Sequence, residues 1–586
     1  MKQFFKYMLA TMLGVIVVIV FFIATIIIIA VVAESQKKIS IKYNSVLKLT
    51  FDQPIVEREK PNPLEELKIP GFEAEETGIV ELRQVLHSAM KDKRIKGILL
   101  DVSDIEARFS QLEPIRRMLE KFKTSGKFIL AYGNYFAENT YYLSSVADQI
   151  ILNPMGTIEF NGLTIEMLFY KGLFDKLEIK PQLFQCGDYK SFAEPFVRDS
   201  MSEPNREQLN AIIQSIYQTV LNQISESRKL SVENLREMSD SLLVRDSKMA
   251  KKYGLVDHIA YRDEMENILC EKLGSEPGKK INYVGYRQYK KMLNEKPEKY
   301  FKNKVAVIFA QGGINTGKGD NETIGSESLT ALLRKAREDK NVKAIVLRVN
   351  SPGGSALASD VIWREVQLTR EIKPVIASMS DLAASGGYYI SMGCDKIIAE
   401  RSTLTGSIGV IGLLVNAKDF LNNKLGVTSD KVKTGAYSDM GMFTRPLSSQ
   451  EINFIQEEMN DIYGTFTRKA AQGRNMVLDS IRKIAQGRVW TGSQALEIGL
   501  VDSLGGLPTA IRVAAKMAKL GKNYRIQYLP VLKDPITKLL TGDTEESAVR
   551  LVYSLFGEWG KALKSLKDLE KFEGIQARLP WDIYVR

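Results

Sequence analysis

The sequence predicts an α/β protein: two tandem α/β repeats behind an N-terminal transmembrane helix. Three observations carry that expectation. An uncharged apolar run opens the chain, one pattern of residues occurs twice, and each copy alternates amphipathic helical stretches with short apolar runs. At 586 residues the chain is also too long for one ordinary core, so more than one domain is expected.

From Met8 to Ala33 no charge interrupts the chain. At about 1.5 Å of rise per residue, this run exceeds the roughly 20 residues that cross a bilayer core. Val31 and Ala33 offer a small-residue cleavage site before Glu34. A signal peptide's apolar region is usually only about 7 to 15 residues, however, so residues 8–33 read as an anchor. Lys2 and Lys6 precede it and Lys37, Lys38 and Lys42 follow it, so charge bias leaves its orientation open.

The repeat sets the domain organisation. VELRQVLHSAMKDKRIKGILLDV from Val80 aligns with ESLTALLRKAREDKNVKAIVLRV from Glu327, an offset of 247. Each reads as an amphipathic helix followed by a buried strand. NYFAENTYYLSSVADQII from Asn134 then matches DLAASGGYYISMGCDKII from Asp381, and VLKLTF from Val46 echoes VAVIFA from Val305. The expected units are a first repeat over 44–274, a solvated basic linker over 275–303, a second repeat over 304–522 and a helical tail over 523–586. The tail's amphipathic pattern lies near Ala548 to Leu569.

Composition narrows the chemistry. The 81 Lys and Arg outnumber the 70 Asp and Glu, but the two signs are interleaved and no basic stripe with aromatics stands out, so nucleic acid is not an expected partner. Cys186, Cys270 and Cys394 share no CxxC spacing, which argues against a disulfide framework and a zinc site. No metal or cofactor is expected. His87 lies in a helical pattern and His258 follows GLVD, so neither of the two histidines has a triad context.

Polar groups differ between the copies in a complementary way. Ser385, Gly386 and Gly387 stand where the first copy has Glu138, Asn139 and Thr140. Conversely GDYKSF, with Lys190, meets GAYSDM, where Ser438 takes the lysine's place. Such complementary loss is expected when one site is assembled from both copies. The turn VNSPGGSA at 349–356 follows a strand and precedes a helix, so its glycines can present N–H groups to a negative oxygen. One strand later Ser385 stands at a helix start. It fits either an N-cap or a nucleophile, with Gly386 and Gly354 N–H groups around the oxyanion. With histidine lacking there, the base must be another group. Lys190, flanked by Tyr189, Phe192 and Phe196, is either a surface lysine or an amine desolvated enough to take the serine proton. Ser407, in STLTGSIG, is either a turn serine or a partner that aims the amine.

NSPGG, AASGGYY, STLTGSIG, GDYKSFAEPF and RVWTGSQALEIGLVD together resemble the long, duplicated form of signal peptide peptidase A, over nearly the whole chain. The resemblance implies two repeats of the crotonase and Clp protease fold, with Ser385 as nucleophile, Lys190 as base, Ser407 orienting Lys190, and Gly354 with Gly386 as oxyanion donors. It further implies a homotetramer, an anchor in the cytoplasmic membrane with the catalytic part outside the cytoplasm, and cleavage of released signal peptides. Two other classes compete: a crotonase-like enzyme polarising an acyl-CoA thioester, and a catalytically silent membrane scaffold.

Overall fold

Apolar strands alternating with amphipathic helices build the same unit twice. The structure, a computed structural model, describes residues 40–61, 76–294, 300–320, 323–532 and 576–578, with scattered positions before residue 40. In the first half the chain runs through β1 (Ser45–Leu49), α1 (Ile79–Lys91), β2 (Ile95–Asp101), α2 (Phe109–Lys123), β3 (Phe128–Phe136), α3 (Glu138–Ser144) and β4 (Gln149–Ile158). Then come β5 (Lys180–Cys186), the long helix α4 (Glu203–Arg228), β6 (His258–Ile259), β7 (Asn282–Gly285) and α5 (Tyr286–Asn294). Six of these strands form one sheet in the order β6-β4-β3-β2-β1-β7, every pair parallel.

The second half repeats the plan. It contains β8 (Lys304–Gln311), β9 (Gly313–Asn315), β10 (Thr323–Gly325), α6 (Ser326–Glu338), β11 (Val342–Ser351), β12 (Gly353–Ser355), α7 (Ala356–Arg370), β13 (Val375–Ala384), α8 (Gly386–Ser391), β14 (Lys396–Ala399), β15 (Leu404–Gly406) and β16 (Val410–Asn416). After these follow α9 (Ser449–Arg474), β17 (Val489–Thr491), β18 (Ser503–Leu504), α10 (Leu507–Met517) and β19 (Arg525–Leu529). Its main sheet runs β17-β15-β13-β11-β8-β19, with β14 paired to β13 and β18 to β14.

Why the strands read as continuous apolar runs is plain from their two faces. Successive side chains point to opposite sides of a strand, and parallel sheets are covered on both. Ile345, Leu347 and Val349 of β11 therefore enter one core with Ile362 and Val366 of α7. Their neighbours Ala344 and Val346 pack instead with Ala510, Ile511 and Ala514 of α10. The first half divides the same way, Ile98 and Leu100 facing the larger core and Leu99 the smaller one.

Two expected boundaries are corrected. Residues 275–303 are not a solvated linker, because β7 within them pairs with β1, and Tyr289 and Met292 of α5 are buried in the first core. Residues from 523 do not begin a helical tail, because β19 pairs with β8 as the matching last strand of the second repeat. Both are short edge strands, bonded along one side only, and their mixed Tyr, Asn, Gln and Arg content hides the strand pattern. The anchor over 8–33 lies mostly outside the described residues, as do residues 533–575 of the tail. Among the described residues no helix is long and apolar enough to cross a membrane.

A third sheet, β10-β9-β12-β20-β16-β5, ties the halves together, β20 being Gln576–Arg578. Here β5 leaves the first half and pairs antiparallel with β16 of the second, from Lys180 opposite Asn416 to Cys186 opposite Val410. Charged groups pin the interface elsewhere. The Arg348 guanidinium donates to both carboxylate oxygens of Glu57 at 2.8 Å, with both side chains buried. Asp381 accepts from Arg108 at 2.6 Å and from Ser110. Glu113 accepts from the Ser402 hydroxyl at 2.5 Å and from its N–H at 2.9 Å. Burial and the neighbouring Glu400 carboxyl push Glu113 up to about 7.

Removing one partner of a buried pair leaves the other charge uncompensated, at a cost of about 3–5 kcal/mol. Glu57→Ala is thus expected to lower the chemical unfolding midpoint by a corresponding amount. An unchanged midpoint would show that the Arg348 contact does not hold the halves.

Candidate active site

β5 determines where the first half's lysine goes. Lys190 lies four residues beyond Cys186, the last residue of β5, so the β5–β16 pairing carries it onto the second half. Its side chain is completely buried. Nζ lies 2.8 Å from Ser385 Oγ, 2.9 Å from Ser407 Oγ and 3.1 Å from the Ser407 carbonyl oxygen. All three partners are uncharged oxygens. Burial therefore holds the Lys190 amine well below the usual lysine range, with no carboxylate to pull it back.

Ser385 sits between β13 and α8 with φ 56°, a left-handed conformation that is costly for a residue with a Cβ. Two backbone bonds fix it: its N–H donates to the Gly406 carbonyl and Tyr389 N–H donates to its carbonyl, both at 2.8 Å. Its hydroxyl makes no capping bond to α8, so of the two roles open to it the N-cap is not the one adopted. Ser407 also has a positive φ, 50°, and its N–H donates to the Arg488 carbonyl at 2.7 Å. The sharp turns point both hydroxyls at one amine.

The glycines lie where a Cβ has no room. On Gly354, with φ 154°, a Cβ would run into the Ile314 carbonyl of β9. On Gly386 it would lie 2.7 Å from Ser359 Oγ and 3.1 Å from Gly354 N, so the two backbone N–H positions named from the sequence are neighbours beside Ser385.

Several residues that shape this site escape a reading of the sequence. Gly487, with φ 77°, faces Lys190 so closely that a Cβ would lie 2.6 Å from the lysine Cβ. Gln208 of α4 is buried, donates to the Tyr189 carbonyl at 3.0 Å and accepts from Val489 N–H at 3.2 Å, clamping the lysine loop to the second half. Asn205 joins Gln208 to Ser191 and Glu194. The only available signal was Glu194 inside GDYKSFAEPF and Gly487 just before RVWTG. The flanking aromatics have other engagements: the Tyr189 hydroxyl donates to Glu207 at 2.8 Å, and Phe196 stacks on Tyr170.

No second pair exists at the matching positions. Glu138 is buried, takes the Gly162 N–H at 3.1 Å and is pushed up to about 7 by burial. Ser438 is exposed, and its hydroxyl donates to the Gly435 carbonyl at 2.9 Å. Among the described residues no group of His, Cys, Asp and Glu has the arrangement of a metal site.

The sequence matches peptidase family S49 over residues 121–274 and again over 367–521, one match in each repeat. It is 35% identical over 554 residues to the chloroplastic serine protease SPPA of Arabidopsis thaliana, covering 92% of this chain and 78% of that protein. It is 33% identical over 505 residues to protease 4 of Haemophilus influenzae, covering 83% of this chain and 82% of that one. A shorter protein of Enterococcus faecium, named a putative signal peptide peptidase SppA, is 37% identical over 254 residues, which are 42% of this chain and 73% of that one. A family match on both repeats, with relatives aligned over most of its length, makes this protein a serine protease of peptidase family S49.

Proposed function

We propose that the protein is a membrane-bound endopeptidase in which Ser385 and Lys190 form a catalytic dyad. The observation that carries the reading is the buried Lys190 amine 2.8 Å from Ser385 Oγ, with only neutral oxygens around it. A neutral amine accepts the Ser385 proton as Oγ attacks the scissile carbonyl carbon. The carbonyl oxygen becomes an oxyanion, held by Gly354 and Gly386 N–H. As the C–N bond breaks, Lys190 returns the proton to the leaving amine and an acyl-enzyme remains on Ser385. Lys190 then takes a proton from water as the water oxygen attacks the ester; when the bond between the acyl carbon and Ser385 Oγ breaks, Lys190 returns that proton to Oγ, which restores the neutral amine and frees the acid product. Ser407 keeps the amine aimed throughout.

The substrates are apolar, extended peptides near the membrane, chiefly released signal peptides, in keeping with the name of the Enterococcus relative. Residues 8–33 anchor the chain in the cytoplasmic membrane with the catalytic part outside the cytoplasm, and four copies assemble.

Ser385→Ala and Lys190→Met are each expected to reduce peptide hydrolysis to background while leaving the fold intact. The double variant should be no worse than either single one, as residues acting in one proton transfer are non-additive. Activity of Lys190→Met within a few fold of wild type would remove Lys190 as base.

The pH profile follows from the direction of the Lys190 shift. Only the neutral amine is a base, so kcat/KM rises with pH through an amine pKa well below the usual lysine range, and falls as protons return below it. An acidic optimum, with activity lost on approaching neutrality, would contradict this.

Because base and nucleophile come from different halves, neither half should hydrolyse peptides alone. Cleaving the backbone near Lys296 and separating the pieces should abolish labelling of Ser385 by a fluorophosphonate, and remixing should restore it. Peptidase activity in an isolated second half, 304–586, would require another base.

A further inference from the structure

A cleft of about 1440 Å³ opens between the halves, and none of the residues assigned to the dyad or the oxyanion lines it. The first half walls it with α1 and α2, the second with α10, the turn after it and β19. Arg83 and His87 of α1, Arg117 and Lys121 of α2, and Arg512 and Lys516 of α10 each stand four apart. Residues at that spacing share a helix face, so every helix turns two basic side chains into the cleft. Lys519, Lys522 and Arg525 join them from the second half. Among the described residues no Asp or Glu lines the cleft.

Like charges four apart on a helix repel, and here little on the chain itself answers them. Among the described residues only Arg117 of the helix pairs has carboxylate partners, Glu400 at 2.5 Å and Glu113 at 3.9 Å. The Nε of Arg525 is buried with no hydrogen-bond partner among the described residues. Burial, with the Lys91, Lys121 and Arg83 charges beside it, holds His87 below the usual imidazole range. The floor between these charges is apolar. Met90 and Met118 of the first half and Leu520 and Ile526 of the second line it, packed on their cores but only half-buried. A small anion would leave that floor in water, and a cationic peptide would be repelled. The volume also exceeds the roughly 300–1,000 Å³ of sites that hold drug-sized molecules. The occupant therefore has to carry negative charge and a long hydrocarbon part together.

We infer that this cleft binds an anionic phospholipid, its headgroup among the basic pairs of α1, α2 and α10 and an acyl chain on Met90, Met118, Leu520 and Ile526. The bound lipid touches both halves at once. It binds the folded chain and not the unfolded one, so it stabilises the joint by mass action. Lys121, Arg512 and Lys516 are exposed, so added salt screens them and weakens binding.

Native mass spectrometry of the full chain, released from a nonionic detergent after incubation with dioleoyl phosphatidylglycerol or dioleoyl phosphatidylcholine, tests this. The expected result is several-fold greater retention of the phosphatidylglycerol. Lys121→Gln/Lys516→Gln should lose that retained lipid, whereas Lys37→Gln/Lys38→Gln, beside the apolar N-terminal run, should keep it. Both lysines of the cleft variant are exposed, so its folding is not at stake. Met118→Glu, which charges the floor and spares the basic pairs, should also lower retention several-fold. In the wild type, phosphatidylglycerol should slow amide exchange over residues 83–90 and 512–526 and raise the chemical unfolding midpoint. Equal retention of the two lipids would overturn the inference, as would undiminished retention in the Lys121→Gln/Lys516→Gln variant. Inorganic phosphate giving the same exchange protection as the lipid would make this a site for small anions and overturn the part given to the floor. A photo-crosslinker on Lys516→Cys that captured residues 533–575 in lipid-free protein would assign the cleft to the chain's own acidic segment instead. Peptide hydrolysis enters none of these readouts, so the result stands or falls apart from the Ser385–Lys190 dyad.

Discussion

The contact between Lys190 Nζ and Ser385 Oγ is the interaction on which the rest of the structure depends. An ammonium group loses its hydration when buried, and that loss favours the neutral amine that the proposed dyad requires. Each unit by which its pKa falls is about 1.4 kcal/mol of disfavour for the charged form. The sign for stability follows. In the unfolded chain the lysine is protonated up to about pH 10.4, whereas the folded chain binds fewer protons. Burial of Lys190 therefore costs stability at neutral pH, and the cost fades as pH rises toward the unfolded value.

That cost has to be offset by the joint between the halves. The seven opposed pairs from Lys180–Asn416 to Cys186–Val410 fix the direction from which Lys190 arrives. Gly487 and Gln208 then press its loop against the second half. Farther along the same joint, Arg348 and Glu57 bury a bidentate pair, and Asp381, only four residues before Ser385, binds Arg108 and Ser110. The strand that ends just before Ser385 is thus also held from the opposite half. Duplication supplied two equivalent frames, and the division of labour left Glu138 and Ser438 in roles that serve their own copy.

Much of this was legible in the sequence because repeats and motifs leave local signatures. The two copies, their alternating helices and strands, and the positions of Ser385, Lys190, Ser407, Gly354 and Gly386 all sit in recognisable strings. That the lysine and serine meet across the halves was foreshadowed by complementary loss and by the family resemblance. The closing strands β7 and β19 were not legible, because an edge strand of four or five half-exposed residues has no apolar run to betray it. Gln208 and Asn205 were invisible for another reason. On the surface of a helix they would look the same, and only the fold shows that α4 turns them into the interface. β20 is three residues long, and nothing but its two partners marks it as a strand.

The protonation state of Lys190 is the central claim, and it can be observed without any substrate. With lysine carrying carbon-13 at Cε, NMR of the full chain in detergent resolves the Lys190 signal by its loss in the Lys190→Met spectrum. The account predicts a Cε shift that titrates well below those of the exposed lysines, the neutral form present while they are still charged. A Lys190 signal that titrates with the others, near pH 10.4, would contradict it.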